Sequence, residues 1–273
     1  MDKFITKRPR TPTDDDAGAK KSNKLPASTA KPTKPKEHEF VGAGAIQRLD
    51  ASTLTVALDA LEKVDEHCKT LVTTARSTLS GGANHLLVEP PAQHAHFIFL
   101  CEFVVRRRIA VKSADTILHN LKDKVGSSWT PQTVMSHEPV LREYMKVGEG
   151  ASGKVDTILE LARLFASTSA PDLDAMTDSQ VVACKALTDI KGIGATTLRT
   201  LLVRMGRPNV FVSGDGLVRK WMQKCYGIDP NKETAETERA RIEKASEWAP
   251  HRSVIYLLIA YAKDPITSAC ILG

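Results

Sequence analysis

The feature that most restricts the fold of this chain is the spacing of its apolar side chains. From about residue 39 they recur at intervals of three and four, and no stretch shows sustained period-two alternation with hairpin turns. Leu54, Val56-Ala57-Leu58, Leu61, Val64, Cys68 and Leu71-Val72 form one such series, with Ser52 as its N-cap and Gly81-Gly82 as its stop. Val155, Ile158-Leu159, Ala162 and Phe165 form a second apolar face. Further helical stretches are predicted near 112–123, 138–146, 154–167, 177–186, 195–205, 215–225, 233–248 and 251–262. Phe97 to Val105 is apolar except for Glu102, and periodicity alone leaves helix and strand open there. The expectation is an all-α domain of roughly nine or ten helices with short connections and no internal repeat.

Composition sets the outer bounds. The chain has 273 residues, 42% of them hydrophobic and 26% charged, enough for a sizeable core in one large domain or two smaller ones. Its longest apolar run, Val254 to Ala262, is far short of a bilayer-spanning helix, and the N-terminus has no apolar stretch of signal-peptide length. The cysteines at 68, 101, 184, 225 and 270 are scattered and include no CxxC pair. A secreted, membrane or cysteine-metal protein is therefore not expected.

The net charge of +6 invites a nucleic-acid reading, but its location matters more than its size. Residues 1–38 hold ten Lys/Arg and five Asp/Glu, whereas the remaining chain holds 28 and 27. Binding by residues 39–273 must then rest on local chemistry. The first 38 residues, with five prolines and Phe4 as the one aromatic, are expected to be a disordered basic tail. Its clusters Lys7-Arg8-Pro9-Arg10 and Lys31 to Lys36 suit a nuclear-import signal or loose phosphate contact, and equally a plain solubilising tail.

Three motifs are set aside. Gly148 to Lys154 fits most of a phosphate-binding P-loop, but Val155 stands where a magnesium-binding hydroxyl is needed, and a helix rather than a strand precedes it. The final Cys270-Ile-Leu-Gly273 has the outline of a prenylation box, yet the terminal Gly is atypical and no polybasic stretch precedes it. The eight histidines are scattered, and no metal site is argued from them.

The informative stretch is 187–219. Gly192-Ile193-Gly194 separates two helical segments; such glycines admit unusual backbone angles and remove Cβ atoms from the approach surface. Amides at the following helix N-terminus can then meet a phosphate, as in a helix-hairpin-helix that grips DNA backbone without reading sequence. A bland packing turn between helices has the same outline. About twenty residues on, Asp215 precedes the apolar-periodic helix of Leu217-Val218 and Trp221, where it is an N-cap. That role is compatible with chemistry: the helix dipole favours negative charge there, and a carboxylate so placed can stabilise a sugar oxocarbenium ion or orient a water.

With these residues in view, the sequence resembles the helix-hairpin-helix/Gly-Pro-Asp superfamily of DNA glycosylases, and most closely its 3-methyladenine (alkylated-base) branch. The resemblance is carried by HFIFLCEFVVRRRIAVKSADTILHNL (96–121), LTDIKGIGATTLRTLL (187–202), VFVSGDGLVRKW (210–221) and APHRSVIYLLIAYA (249–262). It implies a two-lobed helical fold over residues 39–273, with the hairpin at 187–202. Asp215 would be the catalytic carboxylate. Lys191, Gly192, Gly194 and Thr197 would hold DNA phosphates, joined by Arg106 and Arg107. The carbonyls of Thr188, Ile190 and Ile193 would seat a structural Na+ or K+. Bifunctional members carry a lysine where this chain has Thr196, so no lyase step is expected; no iron–sulfur cluster and no obligatory cofactor are expected either. Around the extruded base, Thr196, Thr200 and His251 stand where the branch often has aromatics. Arg106 to Ala110 replaces a Gly-Gln-Gln-x-Ser segment, its arginines serving either as phosphate contacts or as a solvated helix end.

The function the resemblance implies is a monofunctional, monomeric, nuclear DNA glycosylase that releases damaged bases from duplex DNA at the start of base excision repair. Two alternatives stand beside it. One is a non-catalytic hairpin DNA-binding protein, and the other is a glycosylase for deaminated or mismatched pyrimidines.

Overall fold

In the computed structural model the described residues are 48–78, 94–126, 129–146, 151–231 and 234–263. The tail at 1–38, Gly81-Gly82, the glycine-rich 148–150 segment and the C-terminal tetrapeptide lie outside them. Thirteen helices and no strand occur among the described residues, in the order α1 (Ala51–Leu61), α2 (Glu66–Thr78), α3 (Ala95–Arg106), α4 (Val111–Val125), α5 (Pro131–Ser136), α6 (Glu138–Tyr144), α7 (Ala151–Ala166), α8 (Asp178–Val182), α9 (Lys185–Thr188), α10 (Ala195–Arg204), α11 (Gly216–Tyr226), α12 (Ala235–Ser246) and α13 (Arg252–Lys263).

The count exceeds the expected nine or ten because local capping chemistry cuts longer apolar series. The first series is two helices. Asp50, not Ser52, caps α1 in a reciprocal box with Thr53, and Asp65 starts α2 by accepting the Cys68 amide at 2.8 Å. Between those caps Val56, placed on the apolar face by spacing, is 62% exposed, while Leu54, Ala57, Leu58 and Leu61 are buried. The stretch at 177–186 also divides, into α8 with its Thr177–Gln180 capping box and α9. Thr130 with Pro131 opens the unanticipated α5. Phe97 to Val105, ambiguous from spacing, is helical within α3.

The helices fall into two packed groups. One joins the chain's ends: α1 and α2 pack with α13, which also packs on α11. The other is α3 to α8 with α10, centred on the contacts of α7 with α3 and α5. Val254 to Ala260 of α13 are buried without interruption, as befits a helix enclosed on all sides. The groups are tied by Arg207, whose guanidinium donates to the carbonyls of Asp174 and Met176, while the Asp174 carboxylate accepts from Arg48 and pairs with His96. Ser253 completes the tie, donating to the Arg207 carbonyl and accepting the Val210 amide.

One charged network has a measurable consequence. Asp65 accepts the Tyr226 hydroxyl at 2.9 Å and the Lys244 ammonium at 3.0 Å, besides the Cys68 amide. Burial opposes the charge of Asp65, but those donors outweigh it and hold the carboxyl down to about 2. A carboxyl lowered by folding contributes stability above its unfolded value of ~4 and loses it as pH falls toward about 2. Asp65→Ala is expected to destabilise the fold by ~1–3 kcal/mol at neutral pH, since it leaves the Tyr226 hydroxyl and the Cys68 amide without their carboxylate acceptor and Lys244 with Glu247 alone. The deficit should shrink below pH ~4 as wild type loses the same interaction, which thermal melts across the acid range will read.

Candidate active site and nucleic-acid interface

The hairpin presents a helix start with nothing of its own to cap it. Gly194 is the N-cap of α10 and supplies no side-chain acceptor, so the first-turn amides face outward from an exposed strip that includes Lys191, Gly192, Gly194 and Ala195. The two glycines serve different ends. Gly192 has φ +96°, and a Cβ there would collide with the Arg107 guanidinium. Gly194 has φ −125° and ψ −178°, an extended conformation open to any residue, and a Cβ there meets nothing within 4 Å. Only Gly192 needs the backbone freedom expected of both; Gly194 keeps clear the space before the amides.

Behind this surface the turn is held by side chains from other helices. The Thr157 hydroxyl of α7 donates to the Lys191 carbonyl at 2.8 Å, and Arg107 Nη1 donates to the Gly192 carbonyl at 2.8 Å. Ile193 donates its amide to the Ile190 carbonyl within the turn. Lys154, one turn before Thr157, is only 4% exposed and gives its ammonium to the Val105 carbonyl at the end of α3. It is a helix-capping lysine, not the phosphate ligand of a P-loop.

The three arginines separate into three roles. Arg106 is engaged by Asp115 at 2.6 Å, so a phosphate meeting it would compete with that ion pair. Arg107 is seated on the hairpin carbonyl rather than pointing at an incoming strand. Arg108, with φ +56°, is exposed and makes no hydrogen bond or ion pair among the described residues. Thr197 also needs correction: its side chain is 5% exposed and packed inward, so only its backbone can face a ligand.

The carbonyls expected to seat an alkali ion have lone pairs to give. Ile190 accepts the Ile193 amide, and those of Thr188 and Ile193 accept no backbone hydrogen bond among the described residues. Among the described residues there is no group of three or more His, Cys, Asp or Glu side chains that could hold a metal.

Asp215 caps α11. Its Oδ1 accepts the amides of Leu217 at 2.7 Å and Val218 at 3.3 Å, and the residue is half-buried rather than enclosed. Its distance from the hairpin in sequence disappears in space, because a Cβ on Gly214 would collide with the Thr196 hydroxyl. The loop carrying the carboxylate thus lies directly on the first turn of α10. One turn further, Thr200 is buried with its hydroxyl on the Thr196 carbonyl at 2.9 Å.

A residue not singled out in the sequence joins this cluster. Tyr256, inside the buried run of α13, lies near Thr200 and within the field of Asp215; burial first, then that charge, push its phenol upward. The signal available beforehand was a tyrosine hydroxyl within an otherwise apolar stretch, since buried tyrosines need a polar partner. His251 precedes α13 and gives its amide to the Trp248 carbonyl, but makes no side-chain hydrogen bond to either threonine among the described residues. Burial lowers its pKa, leaving a neutral imidazole at neutral pH. Nearby, Phe211 meets the Trp248 ring edge-on at 6.0 Å, and Trp221 meets it at 5.6 Å. The aromatics of this region are thus engaged with one another beside the threonine–tyrosine cluster.

The fold has counterparts among solved structures. Two of the similar solved structures carry 3-methyladenine glycosylase or glycosidase names. A DNA-3-methyladenine glycosidase from Bacillus halodurans is 21% identical with a TM-score of 0.55, covering 77% of this chain and 90% of its own. A 3-methyladenine DNA-glycosylase from Archaeoglobus fulgidus is 18% identical with a TM-score of 0.57, covering 79% of this chain and 70% of its own. At these identities the likeness establishes the shared two-lobed fold. No family model and no curated protein matches the sequence.

Proposed function

We propose that this protein is a monofunctional DNA glycosylase that hydrolyses the N-glycosidic bond of damaged, chiefly alkylated, bases in duplex DNA. The observation that supports the reading is the contact of Gly214 with Thr196, which brings the loop carrying Asp215 onto the first turn of the hairpin helix. A strand gripped by those amides brings its extruded nucleotide to the carboxylate. The bond between C1′ and the base nitrogen then breaks with its electron pair leaving on the base, easily so when alkylation has made that base cationic. Asp215 stabilises the sugar oxocarbenium ion, and water adds at C1′ and loses a proton. Thr196 offers no amine for a Schiff base, so the product is an abasic site in an intact strand.

The test is base release from duplexes carrying methylated purines, hypoxanthine or uracil, read on gels after cleavage of abasic sites. Release from a methylated duplex supports the reading; release from uracil or hypoxanthine alone moves the substrate to deaminated bases. Binding without any release leaves a non-catalytic hairpin protein. The internally satisfied Thr200 and the mutually packed aromatics favour that alternative more than any other feature does.

Arg108, exposed and unpartnered beside the hairpin, is proposed as the arginine that meets backbone phosphate. Arg108→Ala is expected to weaken binding alike on all sequences and to reduce the slope of log K against log salt by about 1. Titrations across salt concentrations check it. The enzyme is proposed as a monomer, and the basic tail as a nuclear-import signal. A fluorescent fusion lacking residues 1–38 is expected to lose nuclear concentration.

A further inference from the structure

The carbonyl side of the hairpin turn already carries a positive charge of the protein's own. Arg107 reaches it from the end of α3, placing Nη1 on the Gly192 carbonyl at 2.8 Å, and its guanidinium fills the space where a Gly192 side chain would stand. Its neighbours hold it in place: Arg106 is anchored by Asp115, and the carbonyl of Val105 is tied to Lys154. Thr157 fixes the preceding carbonyl, that of Lys191. Two consecutive carbonyls are therefore held from behind by donors on two other elements, while Lys191, Gly192 and Gly194 stay exposed.

We propose that Arg107 is the resident cation of the hairpin turn. Its guanidinium fixes the Gly192 peptide and supplies the positive charge that an alkali ion would otherwise bring, so phosphate binding does not depend on which monovalent cation is present. The inference rests on the reading that this turn holds phosphate, and it makes Arg107 a positioning residue rather than a direct DNA ligand. A planar guanidinium suits the task, because it keeps its charge under all conditions and donates from a rigid fork to a carbonyl oxygen. A further cation on the same turn meets like-charge repulsion. Lys154 registers that field: burial first, and the Arg107 charge second, push its ammonium below the ordinary lysine value.

The test uses the full chain, with Arg107→Met and Arg107→Lys beside wild type. Hydrogen exchange over residues 187–196 without DNA reads the turn itself, and is expected to quicken in Arg107→Met and stay near wild type in Arg107→Lys. Affinity for an undamaged duplex is measured in potassium, sodium and tetramethylammonium chloride at matched ionic strength; the last ion is too bulky to sit on carbonyls. Wild type is expected to bind equally, within about twofold, in all three salts. Arg107→Met is expected to bind about tenfold more weakly, as for loss of a charge-assisted hydrogen bond, with Arg107→Lys recovering most of the loss. The proposal is overturned if wild type weakens several-fold in tetramethylammonium, or if Arg107→Met matches wild type in both exchange and affinity. A chain with no duplex affinity in any salt would remove the phosphate reading, while the exchange measurement would still decide whether Arg107 holds the turn.

Discussion

Asp215→Asn is expected to lower single-turnover base release by at least about 10²–10³-fold on whichever duplex the wild-type protein processes, because an electrostatic contribution of this kind is lost with the charge. The substitution isolates that charge. Asparagine caps helices as well as aspartate does, so the bonds to Leu217 and Val218 survive and α11 should start where it does now. Melting temperature and duplex affinity are therefore expected to stay close to wild type. Undiminished release from the variant would remove Asp215 from the chemistry, whatever else the protein does to DNA.

The second large effect is a contrast between two alanines. Gly194→Ala changes a residue already in an extended conformation with open space around its missing Cβ. A Gly-to-Ala change under those conditions stabilises a fold by ~0.4–1 kcal/mol, through the unfolded chain. The added methyl nevertheless stands before the amides of α10, and duplex affinity is expected to fall by an order of magnitude or more, the scale of losing a charge-assisted hydrogen bond to phosphate. Gly192→Ala should instead destabilise the protein, since it forces φ +96° on an alanine, at ~1–3 kcal/mol, and drives a Cβ into the Arg107 guanidinium. Melts paired with duplex titrations separate the cases. A Gly194→Ala protein that binds like wild type would mean that phosphate does not approach this turn.

Much of this was legible in residue order because it depends on neighbours within one or two helical turns. Three- and four-residue apolar spacing determines amphipathic helices, and it located α4, α7, α10, α11 and α13 to within a few residues. The Asp215 cap and the glycine turn are likewise local, so both were found by position and both occur in the structure. Where local chemistry was subtler the boundaries moved. Asp65 ends one apolar series and begins another, and no periodicity distinguishes that from a continuous helix.

What only the tertiary structure decided is which groups meet. Three successive arginines are equivalent in sequence, yet one pairs with Asp115, one takes the Gly192 carbonyl 85 residues away, and one remains in solvent. Two glycines that look alike differ in φ, and only the space beside Gly192 is filled by a guanidinium from elsewhere in the chain. Tyr256 entered the cluster of Thr200 and Asp215 because α13 packs on α11, a contact between segments forty residues apart that no local pattern encodes. Side-chain spacing determines the faces of helices; the burial of those faces against one another selects the partners, and with them the chemistry.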